Sequence, residues 1–393
     1  MGKQYQVTII GGAGHVGAPL SIALASKGIP TLVNDLNKNS LAILASGKMP
    51  FLEDGAEPLL VKALEEKMLG FSSDPESIAN VPIVVVTIGT PIDEFHNPRL
   101  SVLTQCIDGL LPYIKDDQLI ILRSTVAPGV TDYLNRYLKN KGKNCPLAFC
   151  PERVVQGKGV EEIQTLPQLV SGTSKIAVKL AGELFSKIAP EVIEMSTTEA
   201  EFAKLISNAY RYIQFAATNQ LYMLVESAGL DYNKLLTKMK QGYPRMGSIP
   251  SAGFAAGPCL MKDTMQLFSF EKKNFFLGQV AMTINEGLPD FMISQLISKT
   301  KNIINVKVGI LGMAFKAECD DIRDSLSYRL KKTLEFKGAL VFCSDEFVTG
   351  AAFVSKEELV KNCDIIIVGV PHKAYGNLVI PQEKEVIDLW NIL

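Results

Sequence analysis

Several residue types that support common reaction chemistries are scarce in this sequence. Only three histidines occur among 393 residues (His15, His96 and His372), and they lie far apart along the chain. We therefore expect neither a histidine-rich metal site nor a Ser/His/Asp triad, and no metal ion. The seven cysteines are an odd number without a CxxC pair. This usage predicts reduced thiols in a cytoplasmic protein rather than a disulfide framework.

Excess charge and long apolar runs are also missing. Lys and Arg number 40 against 41 Asp and Glu, so no bulk positive charge indicates a nucleic-acid or membrane partner. No apolar run approaches the roughly 18–20 residues that span a bilayer. The opening letters MGKQYQVTIIGG enter a strand-like run at once, which leaves no room for a signal peptide.

What is present is an ordinary globular composition, with 47% apolar and 21% charged residues. The length favours two or three domains at roughly 100–200 residues each. Apolar, strand-like runs alternate with helical patterns at 5–10, 31–36, 81–89, 118–125 and 145–150. Such alternation predicts a parallel, doubly wound α/β sheet.

The pattern changes near residue 196. Thr198 and Glu201 have the spacing of a capping box, and a helical pattern follows to Ala228, before Gly229. A helix of that length is about 45 Å long, which suits a spine between two domains. Residues 242–258 hold four glycines and three prolines, so they predict an irregular and functional loop.

The last ninety-odd residues repeat the plan of the first. Strand-like runs recur at 307–315, 338–346, 363–371 and 386–390. The fold class is therefore α/β, with two Rossmann-like doubly wound lobes joined by a long helix and a helical middle domain. We expect domains at 1–195, 196–300 and 301–393, and a ligand in the cleft between the lobes.

A glycine-rich loop follows the first predicted strand. Gly12, Gly14 and Gly17 form GxGxxG, and Asp35 ends the second strand 18 residues later. The first glycine permits a tight turn, the second admits the pyrophosphate and the third allows close helix packing. Asp35 can bind ribose hydroxyls and repels a 2′-phosphate, which favours NAD over NADP. The alternative is a glycine turn in a domain that binds no nucleotide.

Two patterns suggest reaction chemistry. Cys259 lies among small residues at the end of the loop, just before Lys262 and Asp263. It is either a reactive thiol or a small core residue. Lys204 and Asn208 are four residues apart on the long helix and so share a face. They either donate hydrogen bonds to a substrate oxygen or form a solvated surface.

Seven motifs in order resemble those of the UDP-glucose/GDP-mannose dehydrogenase family and cover nearly the whole chain. They are GAGHVG, IGTP (88–91), RSTVAPGVT (123–131), CPERVVQGK (150–158), EAEFAKLISNAYR (199–211), GPC-x-x-KD (257–263) and GMAFKAECDDIRDS (312–325). The resemblance implies an enzyme of polysaccharide precursor synthesis, and the length of the long helix together with Arg245 predicts a homodimer. The same resemblance implies oxidation of a UDP-sugar 6-hydroxymethyl group to a carboxylate with two NAD.

The resemblance also assigns roles. Cys259 would carry the thiohemiacetal and thioester, and Lys204 and Asn208 would stabilise the oxyanion. Asp263 with Thr125 would position or deprotonate a water, and Glu152 would be the base for thioester hydrolysis. The cofactor positions are Gly12, Ala13, Gly14, His15, Val16, Gly17, Asp35, Thr90, Pro91, Ser124, Thr125, Lys262 and Arg323. The substrate positions are Glu152, Arg153, Val154, Lys204, Asn208, Arg245 (reaching a neighbouring subunit), Gly253, Phe254 and Lys316.

The chain departs from the family pattern at several points. His15 replaces a commoner aromatic residue, AAGPC replaces GGHC or GGSC, and CPER replaces a PEF-type sequence. CPER favours UDP-N-acetylglucosamine or UDP-N-acetylmannosamine, with UDP-glucose as the alternative. Phe315 stands where the second lobe would need a third glycine, so this lobe is expected to bind the UDP half of the substrate.

Two other readings remain open. A 3-hydroxyacid or 6-phosphogluconate type dehydrogenase also carries Lys-x-x-x-Asn on a long helix, but it makes one hydride transfer without a thiol. A non-catalytic nucleotide-binding scaffold would keep the fold and turn nothing over. The cysteine loop, the second lobe and the filled reactive positions argue against both.

Overall fold

The computed structural model describes residues 5–393, which divide into two compact units. The first unit ends at Ser207 and the second begins at Asn208. No helix in residues 5–393 combines the length and apolarity that a membrane span needs. The predicted α/β class is confirmed in each unit.

A mostly parallel sheet forms the centre of the first unit. Its strands are β1 Val7–Ile10, β2 Thr31–Asn34, β3 Leu69–Ser72, β4 Ile83–Val86, β5 Leu119–Leu122, β6 Leu147–Phe149, β7 Gln168–Gly172 and β8 Val192–Glu194. The spatial order is β3-β2-β1-β4-β5-β6-β7-β8, and only the β6–β7 pair is antiparallel. The central strands are apolar and buried because helices cover both faces of such a sheet.

The helices of the first unit alternate with these strands. They are α1 Gly17–Ser26, α2 Lys38–Ala45, α3 Ala56–Glu65, α4 Leu100–Leu110, α5 Val130–Asn140, α6 Gly159–Thr165 and α7 Lys175–Phe185. The long helix α8, Thr197–Ser227, continues from this unit into the second. Its predicted extent is confirmed to within one residue at each end.

The second unit holds a helical part and a smaller sheet. Its further helices are α9 Tyr232–Lys240, α10 Leu260–Phe270, α11 Phe276–Thr300, α12 Leu326–Phe336 and α13 Lys356–Asn362. Its strands are β9 Lys307–Leu311, β10 Leu340–Ser344, β11 Ile365–Val368 and β12 Glu385–Ile387, all parallel in the order β10-β9-β11-β12. Residues 242–258 are irregular apart from a 3₁₀ turn at Pro244–Met246, as predicted.

The repeat between the two ends of the chain is confirmed by strand register. Ile10 pairs with Asn34 and with Val86 in the first sheet, and Leu311 holds the same position in the second. Gly11 and Gly312 follow these residues, and both have positive φ, +75° and +93°. The shared register means that the two sheets end in equivalent loops.

This register corrects the expected place of Phe315 in the second glycine loop. Counting from Gly11 and Gly312, Phe315 is equivalent to Gly14, the second glycine of GxGxxG, and not to the third. A phenyl ring therefore stands where the first lobe leaves its backbone bare.

The predicted capping box of α8 is also wrong. The helix begins two residues earlier than that box requires, because Ser196 and Glu199 form the reciprocal pair. Glu199 Oε2 accepts from Ser196 N at 2.8 Å and from Ser196 Oγ at 2.7 Å, and Ser196 Oγ accepts from Glu199 N at 3.3 Å. Glu201 bonds to a different helix instead.

Candidate active site

The glycine loop between β1 and α1 has three glycines with different steric demands. A Cβ on Gly12 would lie 2.7 Å from Ile9 O, and one on Gly17 would lie 2.4 Å from Gly11 O. A Cβ on Gly14 would meet nothing closer than 3.5 Å. Packing within the chain thus requires the first and third glycines, whereas bare backbone at Gly14 fits the approach of a ligand. This geometry fits the pyrophosphate of NAD.

Asp35 follows β2 and is tied to the same loop. Its Oδ2 accepts a hydrogen bond from Ala13 N at 3.0 Å, and its Oδ1 accepts one from Asn37 N at 2.9 Å. The carboxylate remains partly exposed. It is therefore held by backbone donors while it keeps an accessible face for ribose hydroxyls.

His15 lies in the loop just before Val16, the N-cap residue of α1. Its ring centroid is 4.0 Å from that of Phe51, and its Nδ1 is 3.2 Å from Gln156 Nε2. The residue that departs from the family pattern thus connects the glycine loop with the CPERVVQGK segment. A role in cofactor contact remains a prediction.

Hydrogen bonds join the residues expected beside the cofactor after β4 and β5. Thr90 Oγ1 donates to Thr125 O at 2.5 Å, and Ser124 Oγ donates to Ile88 O at 2.6 Å. Pro91 is exposed. These bonds fix the ends of two adjacent strands at the carboxyl edge of the sheet, where ligands of such folds bind.

Glu152 is buried, and each of its carboxylate oxygens accepts two N–H groups. Oε2 lies 2.8 Å from Arg123 Nε and 2.5 Å from an Arg123 Nη, and Oε1 accepts from Arg153 N at 2.8 Å and Val154 N at 2.9 Å. Arg123 also donates to Gln168 Oε1 at 2.9 Å. A water proton reaches this carboxylate only if one of its donors leaves.

Lys204 and Asn208 are both buried on α8, with exposures of 8% and 9%. The alternative of a solvated surface is therefore wrong for this pair. Asn208 Nδ2 donates to Asp263 Oδ2 at 2.6 Å. Within residues 5–393, Lys204 Nζ has no hydrogen-bond or ion-pair partner. The stem of the side chain is buried, so the ammonium is held in place and is available to an anionic ligand.

Cys259 is exposed and stands at the N-cap of α10. The alternative of a small core residue is therefore wrong. A helix N-terminus stabilises negative charge, so the position suits a thiolate. Four residues on, Asp263 is almost fully buried at 1% exposure, and its Oδ1 lies 3.1 Å from Lys262 Nζ. The sequence-predicted cation near the thiol is thus engaged by this carboxylate.

The remaining cysteines differ from Cys259 in environment. Burial raises the pKa of the thiols of Cys106, Cys145, Cys343 and Cys363 to about 11, that of Cys150 to about 12, and that of Cys319 above its ordinary value. Such thiols stay protonated and inert at neutral pH.

The side chain of Asn219 holds the loop before Cys259 at Gly253 by two hydrogen bonds, and this pair of bonds is called the clasp below. Asn219 on α8 accepts from Gly253 N at 2.9 Å and donates to Gly253 O at 3.0 Å, so one side chain binds both backbone groups. A Cβ on Gly253 would lie 2.2 Å from the ring of Trp390. Phe254 is buried next to this clasp.

A second contact lies two residues before Cys259. Gly257 has a φ of +98°, and a Cβ there would lie 2.4 Å from the ring of Phe315. Gly257 N donates to Asp324 O at 3.3 Å. The ring at the position equivalent to Gly14 therefore packs against the loop that carries the thiol.

The other expected residues of the second unit are charged and accessible. Arg323 binds Asp321 through Nε and Nη2, the latter at 2.6 Å from Oδ2. The hydrogen bond to Asp321 raises the pKa of Arg323, and the charge of Cys259 adds to this effect. Arg245 is exposed with its guanidinium 5.8 Å from the Tyr243 ring centroid, and Lys316 is half-buried.

Three residues at the site escaped sequence reasoning. Arg123 begins the RSTVAPGVT motif and Asn219 lies outside the motifs, but the partners of both are distant in sequence. Glu201 lies inside a motif but bonds to a residue 70 positions away. No group of three potential metal ligands occurs within residues 5–393.

The two Rossmann-like lobes, the glycine loop with Asp35 and the thiol loop are together the parts of a two-lobed, NAD-dependent dehydrogenase. The chain belongs to the UDP-glucose/GDP-mannose dehydrogenase family. Its NAD-binding domain matches at residues 5–189, its central domain at 198–286 and its UDP-binding domain at 309–393. The protein is thus an oxidoreductase with NAD as its cofactor.

Individual relatives agree in length and fold. A UDP-N-acetyl-D-mannosamine dehydrogenase of Methanocaldococcus jannaschii is 26% identical over 93% of this chain and 86% of its own. The structure of a UDP-D-ManNAc dehydrogenase from Pyrococcus horikoshii is 25% identical, covers 98% of this chain and 96% of its own, and has a TM-score of 0.91. A UDP-glucose dehydrogenase from Pyrobaculum islandicum shares the fold at 22% identity over 98% of this chain and 94% of its own, with a TM-score of 0.88.

Proposed function

We propose that this enzyme oxidises the 6-hydroxymethyl group of a UDP-N-acetylhexosamine to the carboxylate, for cell-surface polysaccharide precursors. The observation that carries the proposal is the exposed Cys259 thiol at the N-terminus of α10. UDP-N-acetylmannosamine is the first candidate, because CPER and the names of similar enzymes both favour it.

Bound NAD supplies the hydride acceptor, one molecule for each two-electron oxidation. After the first oxidation, the Cys259 thiolate adds to the aldehyde carbon, which forms a C–S bond and an oxyanion. Lys204 and Asn208 stabilise this oxyanion by hydrogen bonds, with the ammonium as the stronger donor. Loss of a second hydride leaves a thioester. Water then breaks the C–S bond, which releases the carboxylate and restores the thiol.

A carboxylate is proposed to carry out the proton transfers of thioester hydrolysis. Asp263, with Thr125, is proposed to hold the attacking water. Glu152 can serve as the base only after it releases a donor, because Arg123, Arg153 and Val154 occupy both of its oxygens. The geometry therefore favours a second role for Glu152, which is to order the segment that follows it.

We also propose a homodimer. The exposed face of α8 carries apolar side chains at 206, 210, 217, 221 and 224, a stripe along one side of the helix. An exposed stripe of this length indicates a protein partner, and a second copy is the partner that the long helix suggests. We further propose the division at 1–195, 196–300 and 301–393 and a cytoplasmic location, where Cys259 stays reduced.

The test is a panel of UDP- and GDP-sugars incubated with NAD. We expect two NADH and one carboxylate per UDP-N-acetylhexosamine. Activity with UDP-glucose alone would show that UDP-glucose is the substrate instead. One NADH per substrate, with no acid formed, would support the single-hydride alternative. Cys259→Ala is expected to form no acid while it binds UDP-sugar normally, and Cys106→Ala, a half-buried thiol elsewhere, should keep full activity.

A further inference from the structure

Glu201, in the second turn of α8, binds the start of helix α5. Its carboxylate accepts hydrogen bonds from Gly129 N at 2.6 Å, Thr131 N at 2.7 Å and Thr131 Oγ1 at 2.6 Å. The side chain is completely buried, at 0% exposure. All of these groups belong to the first unit.

These donors need an acceptor from outside their own helix. Gly129 is the N-cap of α5 and has no side chain to cap the first turn, with a φ of +87°. A carboxylate at a helix N-terminus satisfies open N–H groups and interacts favourably with the helix dipole. Burial raises the pKa of Glu201, and the hydrogen bonds from Thr131 and Gly129 oppose this rise.

Neighbouring contacts make the junction rigid. Ala200, one residue before Glu201, is buried in the cluster that contains Val126 and Val130. Thr197 Oγ1 donates to Asp132 Oδ1 at 3.3 Å. The first two turns of α8 are therefore fixed to the segment that begins α5.

Both joined segments carry proposed site residues. Lys204 follows Glu201 by three residues and Asn208 by seven, so both lie near its face of α8. Thr125 precedes Gly129 by four residues, and Thr90 holds its backbone from the other side. One carboxylate thus fixes the turn of α8 that carries Lys204 to the segment that follows Thr125.

The same hydrogen bonds keep Glu201 away from Lys204. Acidic and basic residues three apart on a helix commonly form an ion pair. No such pair forms here within residues 5–393, because both oxygens of Glu201 are engaged by Gly129 and Thr131. The ammonium of Lys204 is left for another partner.

We propose that Glu201 is a positioning residue for this reaction, which places Lys204 and keeps its charge available to the substrate oxyanion. The proposal rests on the function proposed above. Glu201 itself touches no reacting atom. Its effect on turnover must therefore pass through Lys204.

The test substitutes Glu201→Gln, which keeps the shape but leaves one acceptor oxygen for three donors. We expect kcat to fall about 10- to 100-fold, since small misplacements of a catalytic group have effects of that size. The KM for the UDP-sugar should change less than about threefold, because binding groups elsewhere are untouched. Glu199→Gln, the exposed capping residue two positions earlier, is the matched control and should stay within about twofold of wild type.

A double-mutant cycle tests whether the effect of Glu201 on turnover passes through Lys204. In a Lys204→Met background, Glu201→Gln should slow the residual turnover by less than about twofold, because the group it positions is gone. An equal loss in both backgrounds would overturn the proposal, and so would wild-type kcat in Glu201→Gln. If Glu201→Gln does not fold, Thr131→Val removes one donor and is expected to show a smaller loss with the same dependence on Lys204.

Failure of this proposal and failure of the proposed function give different results. A wild-type enzyme that oxidises no sugar nucleotide of the panel would overturn the function. An active wild type whose Glu201→Gln variant loses nothing would overturn the positioning role alone.

Discussion

The side chain of Lys204 is only 8% exposed, and its ammonium has no ion-pair partner within residues 5–393, so a change at this residue can affect stability and activity separately. Lys204→Met fills the same space without a charge. We expect its melting temperature to stay at or slightly above that of wild type, because the ammonium has no ion pair to lose and Met covers the same buried space. Its kcat should fall about 10²- to 10³-fold with the loss of one oxyanion donor.

The matched control for this prediction is Lys262→Met. Lys262 Nζ lies 3.1 Å from Asp263 Oδ1, so its removal takes a partner from a buried carboxylate and should lower the melting temperature. Thermal unfolding followed by circular dichroism measures both variants. A Lys204→Met variant that melts well below wild type would contradict the interpretation of Lys204 as unpaired.

Asp345, the counterpart of Asp35 in the second lobe, is a further residue with a testable effect. Burial raises its pKa, but hydrogen bonds from His372 and from the N–H groups of Met313, Phe347 and Ala314 outweigh burial and lower the pKa to about 2. The ionised form is therefore stabilised by folding. This contribution is present above the unfolded pKa, near 4, and is lost as pH falls toward 2.

Asp345→Asn should consequently destabilise the protein by about 2 kcal/mol at pH 7. The difference from wild type should shrink as pH falls from about 4 toward 2. Urea unfolding at a series of pH values measures it. If the difference in the free energy of unfolding between Asp345→Asn and wild type stays constant as the pH falls to about 2, the Asp345 carboxylate is not its source.

At the scale of elements, the sequence predicted the central strands but not β3, β7 or β8. The central strands are continuous apolar runs because they are buried on both faces. β3 and β8 lie at the sheet edges, β8 is largely exposed, and β3 and β7 each contain a glycine. Short edge strands bury few side chains, so the pattern of apolar residues that would reveal them in the sequence is weak.

The start of α8 shows a different limit of sequence reasoning. Ser196 with Glu199 and Thr198 with Glu201 both fit the capping-box spacing. Only the first forms the box. The partner of Glu201 is a helix terminus that is distant in sequence, so local pattern alone could not choose between the two. Lys204, Asn208, Cys259 and Asp263 could be proposed from the sequence because their motif spacing is local, and their roles stay predictions.

The loop before the thiol offers a built-in probe, since Trp390 is the sole tryptophan and packs on Gly253. Gly253→Ala should displace the ring, because the added Cβ would lie 2.2 Å from it. We expect a red shift of the fluorescence emission and a raised KM for the UDP-sugar. Gly182→Ala on α7, where the nearest atom is 4.0 Å away, is the control and should change neither. An unchanged spectrum in Gly253→Ala would contradict this packing.

The whole molecule is expected to function as a dimer built on the apolar stripe of α8. Leu221→Glu with Leu224→Glu places two charges on that stripe, and burying unpaired charges in an interface is unfavourable. We expect the mass in solution, measured by light scattering, to fall to that of one chain. Phe336→Glu, at an exposed apolar site on α12 away from the stripe, should leave the mass unchanged. Wild type that is already monomeric at micromolar concentration would contradict the dimer.

Motif order across the whole chain predicted the family, the cofactor and the two-lobed fold, and the comparisons confirmed them. The sequence also predicted that the second lobe binds the UDP half of the substrate, and the match of residues 309–393 to the UDP-binding domain of the family agrees with this. Phe315 replaces the equivalent of Gly14 and packs on the thiol loop, and this exchange is visible only once strand register aligns the two sheets.

The environments of the seven cysteines also have a practical consequence. Burial keeps six of them protonated at neutral pH, whereas Cys259 is exposed at a helix N-terminus. An electrophilic dye or a sugar analogue with an alkylating group would therefore mark one atom of the chain selectively. The enzyme thus carries its own attachment point for covalent inhibitors and for spectroscopic labels.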